Sequence, residues 1–350
     1  MTLQHLLGIK LPIIQAPMAG VQTSALAVAV SNAGGLGSLP AAMLSLDVLR
    51  QELTAIRAQT DKAFNVNFFC HTPPEPDAHT EAAWRTTLAP YYREYGIDPT
   101  AIAPGLGRMP FNTEVANTVA PFAPPVVSFH FGLPSAELLA RVRGWGAKVI
   151  ASATTVEEGL WLQAQGVDAV IAQGLEAGGH RGHFLSDDLS RQMGTFALLP
   201  QLVRSLTVPV IAAGGIADAQ GAAAAMQLGA AGVQVGTSYL LCPEATTSAV
   251  HRAALKSEAV HVTALTNLFT GRPARGIVNR VMRELGPISA APPAFPLATA
   301  AIAPLRAAAE AAGRGDFSPL WAGQNTSGCR EAPAAEITRE LASALPPRQR

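Results

Sequence analysis

Two histidines in this 350-residue chain stand where imidazole chemistry is easiest to deliver. His130 closes a short apolar run in Ser128-Phe129-His130-Phe131-Gly132, and His180 ends the glycine-rich stretch Glu176-Ala177-Gly178-Gly179-His180. Each is presented from a strand end or loop rather than a packed helix, and imidazole is the side chain whose ordinary pKa lies nearest neutrality. At least one of the two is expected to be functional. His183 follows in the same loop as a third candidate. His5, His71, His79, His251 and His261 lack such a setting and read as ordinary polar residues.

Amides form a second group. Asn65 and Asn67 alternate within Phe64-Asn65-Val66-Asn67-Phe68-Phe69, so a strand would point both to one side. Gln173 ends another apolar run. Buried amides are costly unless partnered; a heteroaromatic ring edge is one partner, neighbouring backbone the other. Two glycine bends make a third group, Ala213-Gly214-Gly215-Ile216 and Gln234-Val235-Gly236-Thr237. Glycines at helix starts bare N–H donors, where the helix dipole favours an anion. Gln15-Ala16-Pro17-Met18-Ala19-Gly20 would let the backbone approach something flat. A flat ring plus a phosphate implies flavin mononucleotide, FMN.

Competing chemistry is thin. Gly34-Gly35-Leu36-Gly37 lacks the third glycine and downstream acid of a dinucleotide loop and reads as a helix end. There is no metal-ligand spacing, so no metal is expected, and no P-loop or Ser–His–Asp pattern. Cys70 and Cys242 read as buried structural thiols. Arg272, Arg275, Arg280 and Arg283 read either as a solvated face or as a collar steering an anionic substrate.

These residues need a scaffold, and the spacing supplies one. Apolar runs at 13–16, 35–39, 64–69, 126–129, 148–151, 169–173, 210–213 and 232–235 suit strands buried on both faces. Helical patterns lie between them at 24–33, 45–59, 135–144, 155–165, 196–205 and 218–228, several opening on Ser, Thr or Asp as a cap. Repeated strand–helix units force parallel pairing, and about eight of them predict an α/β fold of TIM (β/α)8 type. Its active site belongs at the carboxyl ends of the strands, with phosphate at the last two units. The expected layout is a barrel over 1–240 with an excursion at 71–123, a small, mostly helical substrate or cap domain over 241–300, and a helical tail over 301–350 returning to the barrel.

Composition narrows the class further. Apolar residues make up 49% and charged residues 14% of the chain, which excludes a disordered protein and predicts a filled interior. Lys plus Arg equals Asp plus Glu at 25 each, so nothing calls for a nucleic-acid or membrane-surface partner. Three dispersed cysteines fit a reducing compartment. With no spanning run and no cationic N-terminal leader, a cytoplasmic location is expected.

Taken in order, these segments resemble the nitronate monooxygenases, formerly called 2-nitropropane dioxygenases, in particular their class I branch. Pro12-Ile13-Ile14-Gln15-Ala16-Pro17-Met18-Ala19-Gly20, Asn65-Val66-Asn67, Glu176-Ala177-Gly178-Gly179-His180, Gly271-Arg272-Pro273-Ala274-Arg275-Gly276 and Leu320-Trp321-Ala322-Gly323-Gln324 carry the likeness from end to end. The resemblance implies noncovalent FMN contacted by Met18, Asn67, Gln173, Gly178, Gly215, Gln234, Gly236 and Thr237, the last two near the phosphate. It implies oxidative denitrification of an alkyl nitronate, such as propionate 3-nitronate, with dioxygen to a carbonyl product and nitrite. His180 would be the base for neutral nitroalkanes and His130 a hydrogen-bond partner of the nitro group. The implied partners are a nitronate and dioxygen, with a homodimer left open. The family often places tyrosines in the cap near the substrate, whereas this chain offers Phe295 and no tyrosine after Tyr239. Two alternatives stay open: an NAD(P)H-dependent FMN reductase acting on a quinone or enoyl thioester, and a flavin-free phosphate-sugar enzyme or binding protein using the same loops.

Overall fold

The computed structural model describes residues 2–103 and 109–345. Parts of the expected excursion (104–108) and of the expected tail (346–350), with Met1, lie outside the described residues. The strands are β1 (Ile13–Gln15), β2 (Gly37–Pro40), β3 (Phe64–Phe69), β4 (Val126–His130), β5 (Lys148–Ala153), β6 (Ala169–Gln173), β7 (Gly179–His180), β8 (Val210–Ala213), β9 (Gly232–Val235), β10 (Thr263–Thr266) and β11 (Ala274–Ile277). Eight of them form one parallel sheet in the order β1-β9-β8-β6-β5-β4-β3-β2. A parallel bridge from Ile14 to Leu36 closes the ring, with Gln15 N–H donating to Leu36 O at 2.9 Å and Leu36 N–H to Ile13 O at 2.9 Å. The fold is a TIM (β/α)8 barrel.

The local chemistry explains the pieces. β3 is buried at all six positions, as a strand covered on both faces must be. Inside the barrel, Ile14, Leu36, Val126, Ile150, Ile171 and Ile211 pack with Leu3 and Leu7, which come from the short helix Leu3–Leu7. Ser135, Thr155 and Asp218 cap their helices by accepting from Leu138, Glu158 and Gly221 N–H groups. Ser24 does not cap. It is the first helical residue, and its N–H goes to the Glu52 carboxylate at 2.6 Å. The second strand starts two residues later than its apolar run. Gly37 there lies against the preceding helix, where a Cβ would fall 1.9 Å from Ala27 O.

Outside the barrel, the chain is arranged by what covers each apolar face. The excursion helix Ala78–Tyr95 and the late helix Thr299–Ala311 pack on each other in a second core, with Trp84, Leu88 and Tyr92 meeting Ile302, Leu305 and Phe317. Trp84 Nε1–H donates to Ala298 O at 3.2 Å and the Tyr92 hydroxyl to Ala301 O at 2.6 Å. Within the expected tail, the helix that returns to the barrel is Ala334–Leu341, whose Ile337 and Leu341 join the main core. The cap, expected to be mostly helical, also contains a three-stranded antiparallel sheet, β10-β11-β7. β7 is lent by the loop after β6, with His180 opposite Ala274. Among the described residues no helix is long and apolar enough to cross a membrane.

Candidate active site

One cavity opens over the carboxyl ends of the barrel strands. Met18, Asn67, His130 and Gln173 reach it from the ends of β1, β3, β4 and β6. Gly178 and His180 reach it from the loop after β6, Gly215 from the loop after β8, and Gln234, Gly236 and Thr237 from β9 and its exit. The ten positions that the resemblance assigned to cofactor or catalysis therefore share one space, which His183 and Asn65 do not line.

The glycine bends are tightly built. Gly214 and Gly215 sit at φ 115° and 73°, the left-handed side that favours glycine. A Cβ on Gly214 would fall 2.9 Å from Thr195 Oγ1 and 3.0 Å from Ala177 N. The neighbouring helix Thr195–Ser205 has Gly194 as its cap residue and so lacks a capping side chain. Glu176 supplies the acceptor instead, taking Thr195 N–H at 2.8 Å and the Thr195 hydroxyl at 2.9 Å. A segment that gave no site signal of its own clamps both bends: Gly323 N–H donates to Thr237 Oγ1 at 3.0 Å, and Asn325 Nδ2 to Gly215 O at 2.9 Å.

The amides divide. Asn67 lines the cavity and donates to Ser128 Oγ at 2.9 Å. Asn65 does not line it, and donates instead to Ser38 Oγ at 3.0 Å and Ser128 Oγ at 2.9 Å. Gln173 spends one N–H on His180 O at 2.9 Å and accepts from Gly182 N–H at 2.8 Å, which leaves one N–H and one lone pair. Buried Arg181 fixes that strand end by donating to Gln173 O at 2.7 Å and Gly174 O at 2.6 Å.

The histidines separate more sharply. The His130 ring bonds on both sides, Nε2 at 3.2 Å from His180 O and Nδ1 at 3.0 Å from Ser152 Oγ. A carbonyl can only accept, so Nε2 carries the proton and the Ser152 hydroxyl donates to Nδ1. That differs from the expected hydrogen bond to a nitro group, because no ring nitrogen is left over. His180 Nε2 lies 2.9 Å from Thr270 Oγ1. Its ring is boxed by Phe295, Trp321, Phe131 and Phe69, with centroids at 5.3, 5.6, 6.1 and 6.3 Å. Phe131 reaches its place at φ 69°, a strained conformation for a bulky residue. The Arg272 guanidinium, 4.4 Å from the Phe131 ring centroid, covers it. His183 lies outside the cavity lining, buried, with Nε2 3.4 Å from Asp187 Oδ1.

The four arginines form neither one solvated face nor a collar at the cavity: of the four only Arg283 is exposed, and none lines the cavity. Arg272 donates to His183 O, and Arg275 to Leu175 O at 2.8 Å. Arg280 pairs with both Glu94 oxygens at 2.7 Å, and Arg283 donates to Val278 O at 3.3 Å. Burial pushes all three thiols up, Cys70 well above the ordinary range and Cys242 and Cys329 to about 12, so none is a ready nucleophile.

Burial also pushes the pKa of His130 down to about 3, and those of His183 and His251 to about 4. In the unfolded chain these rings titrate near 6.5. As pH falls from there toward 4, the unfolded chain binds protons that the folded chain refuses. Stability therefore falls, by at most about 1.4 kcal/mol per pH unit for each ring. Denaturant midpoints at pH 7.5, 6 and 5 should decline in that order; a flat profile would contradict neutral burial.

A cavity at the strand ends of a (β/α)8 barrel is where barrel enzymes carry their active sites, which makes it the candidate site here. The chain belongs to the nitronate monooxygenase family, whose model matches residues 1–343, and is an oxidoreductase. It is 45% identical to the nitronate monooxygenase of Paraburkholderia phytofirmans, over 96% of this chain and 92% of that one. It is 44% identical to the nitronate monooxygenase of Pseudomonas aeruginosa, over 97% and 98%. Among solved structures it is similar to nitroalkane oxidase from Streptomyces ansochromogenes, with a TM-score of 0.89 and 39% identity over 98% of this chain and 97% of that one.

Proposed function

We propose that the cavity binds FMN noncovalently and that the enzyme oxidises alkyl nitronates with dioxygen, releasing an aldehyde or ketone and nitrite. The observation that carries this is the meeting, in one cavity, of the two glycine bends, an orphaned amide and a boxed imidazole. The orphan is Gln234 Oε1, which is buried without a partner among the described residues and suits the N–H edge of a ring. Gly215, Gly236 and Thr237 would hold the phosphate, while Met18, Asn67, Gln173, Gly178 and Gln234 would meet the ring system. When bound, FMN supplies the electron acceptor that dioxygen restores.

The chain's own residues do the rest. A nitronate is a delocalised anion and needs donors rather than a nucleophile. His180 hydrogen-bonds it and, when the substrate is a neutral nitroalkane, takes its α-proton. Phe69, Phe131, Phe295 and Trp321 exclude water around that imidazole, which strengthens each polar contact inside. His130 is a positioning residue that holds the His180 backbone through its carbonyl. The test is anaerobic mixing of the holoenzyme with a preformed nitronate, read at the flavin absorbance.

A further inference from the structure

The segment 321–329 comes from the far end of the chain and lies so close on the loops of the glycine bends that side chains are excluded between them. A Cβ on Gly178 would fall 2.6 Å from Gly323 N, and one on Gly328 2.1 Å from Ala217 O. Gln324 N–H donates to Glu176 O at 2.9 Å, and Cys329 S–H to Thr237 O at 3.1 Å. Two residues of the segment, Gly323 and Asn325, line the cavity beside Gly215, Ile216, Gly236 and Thr237.

These contacts share one polarity. Asn325 Oδ1 accepts from Ser327 N–H at 3.2 Å and from the Ser327 hydroxyl at 2.7 Å, while Nδ2 donates to Gly215 O at 2.9 Å. A backbone N–H can only donate and a carbonyl can only accept, so the amide cannot be turned over. The carbonyl and N–H of one trans peptide unit point opposite ways, so holding Gly215 O also fixes the direction of Ile216 N–H. The Thr237 hydroxyl, which accepts from Gly323 N–H at 3.0 Å, keeps its own proton to give. The backbone hydrogen bonds of the described residues use none of the N–H groups of Gly215, Ile216, Gly236 and Thr237. Acceptors at the bends are thus tied to the late segment and donors are left over, which is the arrangement an anion needs.

We propose that Asn325 is a positioning residue for the cofactor's phosphate. By holding the Gly215 carbonyl it keeps the donors of that bend presented to the anion. It thereby sets how strongly the enzyme prefers a phosphorylated flavin to the unphosphorylated one. The inference rests on the FMN reading above and adds to it a residue 110 positions along the chain from the bend it governs.

Titration of the flavin-free full chain with FMN and with riboflavin, followed by flavin fluorescence, tests it without any turnover. Wild type should bind FMN more tightly than riboflavin by about 10²-fold or more. Asn325→Ala should lower that ratio by about tenfold. Asn325→Asp should lower it by about 10²-fold, because it keeps the acceptor for Ser327 but sets a carboxylate against Gly215 O and the phosphate. Riboflavin affinity should stay within about threefold of wild type in both, which a merely structural role would not produce. Amide exchange on wild type gives a second readout that needs no variant to fold. Saturating FMN should slow exchange at Gly323 and Gln324 more than saturating riboflavin does, since whatever the clamp does for the phosphate the phosphate returns to the clamp. Equal losses of both flavins in the variants, an unchanged ratio, or equal protection of the segment by both flavins overturns the inference and leaves the FMN reading standing. A wild-type chain that takes up neither flavin overturns the FMN reading and the inference with it.

Discussion

Replacing His180 by Asn should lower kcat/KM for neutral nitroalkanes by about 10²–10⁴-fold while costing preformed nitronates about tenfold or less. The asymmetry follows from the chemistry. A neutral nitroalkane must lose its α-proton to a base before it can be oxidised, whereas a nitronate arrives without that proton. Asparagine keeps a polar group, though one that ends short of the Nε2 position 2.9 Å from Thr270 Oγ1, and it cannot accept a proton at neutral pH. The four rings around His180 remain to hold the pocket's shape. Steady-state kinetics with both substrate forms checks this. Equal losses would mean that His180 binds substrate without taking its proton.

Gly236→Val should purify as a folded protein that binds FMN about 10²-fold more weakly or worse. Gly236 has φ −116°, which any residue adopts, and a Cβ there would lie 3.3 Å from Ala16 Cβ and 3.5 Å from Met18 Sδ. Backbone strain is therefore absent and packing only tight, but the branched methyls would stand where the phosphate meets the bend. Losing one or two charge-assisted hydrogen bonds of about 1.5–3 kcal/mol each accounts for the expected weakening. Gly214 would be a poor choice for this test, because φ 115° and the close Thr195 and Ala177 atoms would damage the fold itself. Flavin content and thermal midpoint are read together. Full flavin occupancy with an unchanged affinity would move the phosphate away from these bends.

How much of this was legible depends on whether the deciding contacts are local. Runs such as Phe64–Phe69 announce a strand buried on both faces, and eight such runs alternating with capped helices leave few options besides a closed barrel. The glycine bends were legible for the same reason, since an unusual backbone must be written into its own sequence. β7 was not. Two residues become a strand only because β11, some 95 positions later, pairs with them. The helix Thr299–Ala311 shows an apolar face, but periodicity cannot say whether barrel or cap covers it; the partner is the excursion helix Ala78–Tyr95. His251 reads as an ordinary polar residue because its helix carries no glycine or strand end to mark it, and Arg306, Glu310 and Ser318, with which it lines the cavity, lie far along the chain. Three of the arginines misled for a related reason: Arg272, Arg275 and Arg280 look solvated until the carbonyls and carboxylates that accept from them are brought alongside, whereas Arg283 is exposed.

The most direct measurement is anaerobic stopped-flow mixing of the FMN-loaded enzyme with propionate 3-nitronate and, separately, with NADH, followed at the flavin absorbance. The nitronate should bleach the oxidised spectrum rapidly and NADH only slowly. Rapid bleaching by NADH with none by the nitronate would contradict the account and point to a nicotinamide-dependent reductase.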